Sequence, residues 1–221
     1  LWTTSQVHAA QPREDSLYAR AARHGAAFLW SAFWDEEHGG FHSLVNRQGE
    51  VQADANAFTG IKTAYGHAFA IYGLASQHAA TGDPRALRRA QRTFRWLDNK
   101  AHDDEHGGYF QALRPDGTPY TGWYDDTTPP KDQNSTIHLL EAFTALYEVA
   151  PETPRLRNRL QELLVLTRDT MVRDRGSLRR FFERDWTPVS YRDSSMAVRD
   201  ENYYLDHVSF GHDVETAFLM L

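Results

Sequence analysis

The sequence predicts an all-α fold in which enclosed and surface helices alternate as concentric rings, with short β-hairpins between the helix pairs. Three observations support this fold class: an internal repeat, the alternation of two kinds of amphipathic pattern, and the composition. Of the 221 residues, 41% are hydrophobic and 24% are charged, which is typical of a globular protein. Repeated helix pairs of this kind stack into curved or closed arrays.

The repeat is clearest in two acidic segments, DEEHGGF at 35–41 and DDEHGGY at 103–109, which are 68 residues apart. Further along, Gly49 and Gly117 match at the same offset. Because glycine adopts the positive φ that tight turns require, the two segments predict hairpins near 41–52 and 109–120. A weaker third copy is predicted at 174–189, in the segment SLRRFFERDWTPV and the residues just before it.

Two helices are predicted between successive hairpins. The first of each pair, at 62–80 and 132–149, is apolar or small on most sides, as expected for a helix enclosed by protein. The second, at 84–99 and 154–171, begins at a proline and carries one apolar stripe, which is typical of a surface helix.

The extent of the array also follows from the repeat. About six helix pairs are needed to close a double ring, and this sequence holds roughly half of that number. It ends on AFLML, an apolar helical pattern without a capping residue. We therefore expect residues 1–221 to be a single domain that is truncated at its C-terminus. A complete open solenoid of three repeats is the alternative.

Composition and motifs exclude several classes of function. The absence of cysteine excludes disulfides, thiolate zinc sites, iron–sulfur clusters and cysteine nucleophiles. A net charge of −6 without a sustained basic run argues against nucleic acid as a partner. No P-loop or GxGxxG motif supports nucleotide binding. Because no long apolar run or signal peptide is visible, we expect no membrane partner and a cytoplasmic location.

Two enclosed helices carry the same histidine–glutamate pattern. His138 precedes Glu141 by three residues, and His212 precedes Glu215 by three, so each pair shares a helix face. The pairs fall at comparable points of successive repeats and are predicted to face a central cavity, where they could transfer protons. Zinc or manganese binding is the alternative, but no third ligand stands at fixed spacing, so neither a metal nor another cofactor is predicted.

Five segments resemble the N-acylglucosamine 2-epimerase superfamily, and the resemblance covers essentially the whole chain. They are WDEEHGGFH, KTAYGHAFAIYGLAS, HDDEHGGYFQALRPDG, NSTIHLLEAFTALY and HVSFGHDVETAFLML. The run from Phe210 to Glu215 is similar to the cellobiose 2-epimerase branch, since the N-acylglucosamine branch usually has Pro-Gly-His-Ala there. The resemblance implies the N-terminal half of an (α/α)6 barrel and the cofactor-free epimerisation or isomerisation of a small carbohydrate substrate.

The resemblance also implies roles for individual residues. His212 matches one of two acid/base histidines, and Glu215 matches the carboxylate beside it. His138 matches a histidine that assists ring opening and hydrogen-bonds the substrate, with Asn134 as its neighbour in the motif. Lys62 falls where the family often has arginine. The second acid/base histidine of the family lies in the C-terminal half, so we expect this segment alone not to epimerise.

Further side chains are candidates for substrate binding. Lys62 and Tyr65 open the first enclosed helix, and the lysine could bind a sugar hydroxyl or a developing oxyanion. Asn134 lies one turn before His138 and can both donate and accept hydrogen bonds. Tyr109, in the second hairpin, is the remaining candidate.

Several activities are compatible with these residues. A histidine that removes the C2 proton of an open-chain aldose leaves an enediolate, and return of the proton to C2 or to C1 gives a 2-epimerase or an aldose–ketose isomerase. A glycoside hydrolase on the same ring fold would use paired carboxylates, for which Asp125 and Asp126 are candidates. A non-catalytic binding protein is a further alternative. The sequence leaves the exact sugar and the oligomeric state open.

Overall fold

The computed structural model describes residues 1–11, 16–52, 60–173 and 176–220, and this part of the chain is helical with short strand pairs. Its helices are α1 Trp2–Ala10, α2 Leu17–Phe28, α3 Ala64–Thr81, α4 Pro84–Lys100, α5 Gln133–Val149, α6 Leu156–Leu166, α7 Met196–Glu201, α8 Tyr203–Asp206 and α9 Phe210–Leu219. Its strands are β1 Lys62–Thr63, β2 Ala112–Leu113, β3 Lys131–Asp132 and β4 Phe181–Phe182. Single π-helical segments at Leu29–Phe33 and Thr167–Met171 continue α2 and α6.

The helices form an inner and an outer layer. Helices α1, α3, α5 and α9 pack side by side in chain order, and α2, α4 and α6 pack against their outer side. The described residues form an arc of this double layer and do not close into a barrel. The predicted all-α fold with alternating enclosed and surface helices is therefore confirmed. The sequence did not predict the first pair, α1 and α2.

The core lies between the two layers and follows from the helical patterns. In α4 the stripe residues Ala90, Phe94 and Leu97 are fully buried, and Asp83 caps the helix at Pro84 by accepting a hydrogen bond from the Arg85 amide. In α3 and α5 residues on most sides are buried, as the sequence predicts. The second surface helix differs from the prediction, because Arg155 has a φ of +67° and the helix begins at Leu156 rather than at the preceding proline.

The hairpins join neighbouring repeats. Strand β1 pairs with β2 of the second hairpin, with Lys62 opposite Leu113, and β3 pairs in the same way with β4 of the third, with Lys131 opposite Phe182. Both glycine pairs, at 39–40 and 107–108, adopt the predicted positive φ. The third hairpin is present in the described residues, with the bridge from Phe182 to Pro188, whereas its predicted residues 174–175 lie outside them.

A buried ion pair holds each of the first two hairpins. Asp35 Oδ1 accepts hydrogen bonds from the backbone amides of Glu37 and His38, and its Oδ2 accepts one from Lys62 Nζ at 2.7 Å. The ammonium also donates to the carbonyl oxygens of Gly39 and Pro115, both at 2.6 Å. One repeat later, Asp103 and Lys131 form the same pair, with 3.0 Å between Oδ2 and Nζ. The acidic repeat is therefore a structural device.

Candidate active site

A cavity of about 480 Å³ opens where the inner helices begin and the hairpins meet them. The first turns of α3 and α5 supply one part of its wall, and the hairpins supply another. Aromatic rings such as Phe41, Phe181 and Tyr204 line it beside polar groups. Its polar wall includes His42, Ser43, Gln111, Asp132, Asn134 and Arg180. Apolar walls with a few convergent polar groups are typical of a small-molecule site.

His212 lies against this wall and is hydrogen-bonded through both ring nitrogens. Its Nε2 lies 3.1 Å from Oδ1 of Asn134, which lines the cavity, and its Nδ1 lies 2.7 Å from Oγ of Ser209. Ser209 occupies the N-cap position of α9, yet its hydroxyl caps no helix amide. Because the Asn134 amide oxygen only accepts, Nε2 carries the proton of the neutral imidazole, and Nδ1 accepts from the Ser209 hydroxyl. The hydroxyl can also accept, so it can stay bonded to Nδ1 when the ring takes up a second proton.

The other face of α9 fixes its position. Asp213 Oδ1 accepts a hydrogen bond from the Leu178 amide of the third hairpin at 3.1 Å. Thr216 Oγ1 accepts one from Gln133 Nε2, at the start of α5, at 2.9 Å. Asp213 directly follows His212, and Thr216 directly follows Glu215. Each candidate catalytic side chain of α9 is therefore next to a residue that holds the helix in place.

His138 is nearly buried and lies between two carboxylates. Its Nδ1 is 3.1 Å from Glu141 Oε2 on the same helix, and its Nε2 is 3.8 Å from Glu215 Oε1 on α9. The ring also contacts Tyr65 edge-on, with 5.2 Å between centroids. Tyr65 lines the cavity, so His138 lies directly behind one of its walls.

Burial and local charge set the protonation of this region. Burial lowers the pKa of His212, and the positive charge of Arg180 lowers it further, whereas Glu215 opposes the shift. The imidazole is therefore neutral, and able to act as a base, at neutral pH. Burial raises the pKa of Tyr65, with a contribution from the Glu215 charge, so its hydroxyl stays protonated. Burial also raises the pKa of Asp132, whose Oδ1 has no hydrogen-bond partner.

The structure brings together five of the predicted site residues at or beside the cavity. Tyr65 and Asn134 line it, and His212, His138 and Glu215 contact one another or these lining residues.

Two of the predicted substrate-binding residues lie elsewhere, and their role is corrected here. The Lys62 side chain is 1% exposed, and its ammonium donates hydrogen bonds to Asp35 and to two carbonyl oxygens. Tyr109 is buried in the core, where its hydroxyl donates to Asp98 Oδ1 at 2.8 Å. Both side chains therefore stabilise the repeat and are not available to a ligand.

The predicted equivalence of the two histidine–glutamate pairs is wrong. His138 lies six residues after the N-cap residue of α5, Asp132, whereas His212 lies three residues after the N-cap residue of α9, Ser209. Glu215 is thus the positional counterpart of His138, and the two meet across the interface between the helices.

The polar cavity residues that sequence reasoning missed include His42, Asp132 and Arg180. The repeat contains a signal for Arg180. Leu113 and Phe182 hold the same place in their strand pairs, so Gln111 and Arg180, each two residues earlier, are equivalent, and the 68-residue offset relates Gln111 to Ser43 in the first hairpin. All of these equivalent positions line the cavity.

The structure also bears on the alternative activities. Asp125 and Asp126 lie on an exposed turn, both at positive φ, rather than facing each other across the cavity. Asp132 is the one carboxylate among the described lining residues. Within the described ranges, no three His, Asp or Glu side chains are arranged to hold a metal ion. No helix in those ranges has the length and apolar character to cross a membrane.

Comparison with known proteins identifies the family. The cellobiose 2-epimerase of Bacteroides fragilis is 33% identical over the whole chain, and the D-mannose isomerase of Thermobifida fusca is 26% identical over 90% of it. The solved structure of cellobiose 2-epimerase from Spirochaeta thermophila superposes on 99% of the chain with a TM-score of 0.82 and 32% identity. The chain spans about half the length of these relatives, namely 51%, 45% and 49%. The family model for N-acylglucosamine 2-epimerase matches residues 2–221, and the chain belongs to that family.

Proposed function

We propose that the protein is a cofactor-free sugar 2-epimerase that interconverts glucose- and mannose-configured reducing-end sugars. The observation that carries the proposal is His212, a half-buried imidazole at a cavity wall whose N-cap serine bonds the ring instead of the helix. Giving up a cap costs about 0.5–2 kcal/mol of helix stability, which a purely structural arrangement would not favour. The names of its relatives support the same class of reaction.

In the proposed reaction His212 removes the proton from C2 of the open-chain sugar. Its lowered pKa keeps it neutral and ready to accept a proton. His138 is suited to move a proton during ring opening, because its Nδ1 is hydrogen-bonded to Glu141, which orients the ring, and its Nε2 lies 3.8 Å from Glu215 Oε1. Asn134 and Tyr65 line the cavity and offer hydrogen bonds to sugar hydroxyls.

Epimerisation also needs a proton donor on the opposite face of C2. The family resemblance assigns that donor to a histidine in the part of the relatives that this chain does not span. Return of the proton to C1 instead would make the protein an aldose–ketose isomerase. This second candidate is supported by the D-mannose isomerase among the relatives.

The test follows deuterium from solvent into C2 of a glucose- or mannose-ended sugar, using the full-length protein. Removing a positioned acid/base group costs about 10²–10⁴-fold in rate, and we expect His212→Ala to lose at least that. His24→Ala is the matched control, because His24 is exposed on the outer helix α2. Exchange by His212→Ala at the wild-type rate would remove His212 from the mechanism. Product analysis then separates the two candidates, because a new aldose indicates epimerisation and a ketose indicates isomerisation.

A further inference from the structure

Arg180 is a buried cation that the mechanism above does not use. It precedes strand β4, is 7% exposed and lines the cavity. Its Nη1 donates to Gln133 Oε1 at 3.3 Å, but its Nε has no hydrogen-bond acceptor. In the described part of the chain no carboxylate lies within ion-pair distance of this guanidinium.

The other buried cations among the described residues each contact a carboxylate. Lys62 Nζ and Lys131 Nζ lie 2.7 and 3.0 Å from an aspartate oxygen, and the partly buried Arg173 lies 2.6 Å from Asp206. A charge taken out of water without a partner is costly, so buried charges are normally paired. Arg180 has no such contact, because Asp132 on the same cavity wall acts on it only through its electric field, and a ligand in the cavity could supply a negative charge in direct contact.

The guanidinium and the acid/base histidine are held in one frame. The Gln133 amide joins them, since its Oε1 accepts from Arg180 and its Nε2 donates to Thr216 on α9. The Gln133 backbone N–H also donates to the Arg180 carbonyl at 2.9 Å. Arg180 is close enough to His212 to lower its pKa, so the field of the guanidinium reaches the place where the C2 proton would be removed.

We propose that Arg180 binds the oxyanion that develops on the sugar when the C2 proton leaves. The inference rests on the proposed function. As the C2–H bond breaks, the proton moves to His212, the electron pair forms the C1=C2 bond, and the carbonyl pair moves onto O1. The guanidinium N–H groups stabilise that negative oxygen. When a proton returns to C2, the carbonyl re-forms and the oxyanion disappears, so no oxidant or reductant is involved.

The experiment measures C2 deuterium exchange in the full-length protein with a neutral disaccharide. Removing one oxyanion donor costs about 10²–10³-fold in kcat, and we expect Arg180→Gln to show this loss with KM changed less than tenfold. Arg180→Lys keeps the positive charge but lacks the planar array of guanidinium N–H donors, so it should retain more of the wild-type rate than Arg180→Gln. Arg179→Gln is the control, because the Arg179 guanidinium donates to the carbonyls of Thr170 and Val172 outside the cavity.

A pH profile separates this role from a structural one. The charged or titratable groups that act on His212 are Arg180 from the third hairpin, Glu215 on α9, His138 on α5 and His207 after α8. Removing the positive charge of Arg180 should let His212 protonate at higher pH. The acid limb of the kcat profile should therefore move to higher pH in Arg180→Gln and stay in place in Arg180→Lys.

Each outcome decides the matter. A folded Arg180→Gln protein with wild-type kcat, or with a loss confined to KM, would overturn the inference while leaving the proposed function intact. If Arg180→Gln fails to fold, Arg180→Lys decides, since an unchanged kcat together with lowered thermal stability would assign a structural role. If the wild-type protein itself exchanges no C2 proton, the proposed function fails first.

Discussion

Replacement of Lys62 by methionine separates the structural role of this lysine from the substrate-binding role that the sequence suggested. Methionine keeps much of the side-chain volume but removes the charge and the donors. The ammonium satisfies Asp35 at 2.7 Å and two carbonyl oxygens at 2.6 Å, and the lysine and aspartate side chains are 1% and 10% exposed. The variant would leave the carboxylate and both carbonyls without their donor.

The magnitude follows from that geometry. Removing one partner of a buried ion pair costs about 3–5 kcal/mol, because the remaining charge is buried alone. We therefore expect Lys62→Met to lower the free energy of unfolding by about 4 kcal/mol. The urea m-value rises with protein size above the range of about 1–3 kcal/mol/M found for small proteins, so the midpoint should fall by about 1 M. Circular dichroism during urea unfolding of the full-length protein measures this shift.

The double variant sharpens the test. Replacing Asp35 by asparagine together with Lys62→Met removes both charges, and we expect it to be more stable than Lys62→Met alone. The KM of the folded single variant should stay near that of the wild type, since the lysine does not line the cavity. A Lys62→Met protein of unchanged stability and strongly raised KM would refute this reasoning and restore the lysine as a substrate contact.

The remaining predictions concern the same hairpins. The Lys62 ion pair and two amide hydrogen bonds lower the pKa of Asp35 from 3.8 to about 2, although its burial opposes the shift. A lowered carboxyl pKa contributes stability that is present above pH 4 and is lost as the pH falls towards 2. Here the contribution is about 2 kcal/mol, which urea unfolding across that pH range measures. An Asp35→Asn protein with the same acid profile would contradict this expectation. Gly40→Ala should cost about 2–4 kcal/mol, because φ is +77° and the new Cβ would lie 2.5 Å from the Trp96 ring. Gly82→Ala, at a φ of +68° with no atom within 4 Å, should cost less, and equal losses of thermal stability in the two variants would show that the Trp96 contact is unimportant.

The repeat was predictable because its residues are tightly constrained. The carboxylates of Asp35 and Asp103 each cap a turn and bind a lysine, and the glycine pairs that follow have positive φ, with Gly40 and Gly108 directly against an indole ring. Few substitutions satisfy those conditions, so the motif persists at a fixed offset. In the third hairpin Trp186, at a φ of +68°, occupies the position of Gly49 and Gly117 in the earlier hairpins. The sequence signal of the third hairpin is correspondingly weak.

The geometry of the site was less predictable, because it depends on where each helix begins. Identical spacing made the pair of His138 and Glu141 resemble the pair of His212 and Glu215, but spacing within a helix carries no information on register between helices. The N-cap residues supply that information. Asp132 is recognisable as a cap, whereas Ser209 directs its hydroxyl to His212 and caps nothing, so the start of α9 is hidden in the sequence.

Within the repeat, the positions that stabilise the hairpins differ from the positions at the cavity. Positions that stabilise the hairpins keep their chemistry, as the equivalent pairs of Lys62 with Asp35 and Lys131 with Asp103 demonstrate. Positions that face the cavity diverge instead. Counted from the N-cap residues of α3, α5 and α9, the third helical residue is Gly66, Ser135 and His212, of which the first two line the cavity and His212 contacts its lining residue Asn134. The equivalent hairpin residues, Ser43, Gln111 and Arg180, all line it. A quasi-symmetric array can bind an asymmetric ligand if its equivalent positions carry different groups. Divergence at a position where the scaffold repeats is thus a physical signal of function, and it points to His212 and Arg180 together.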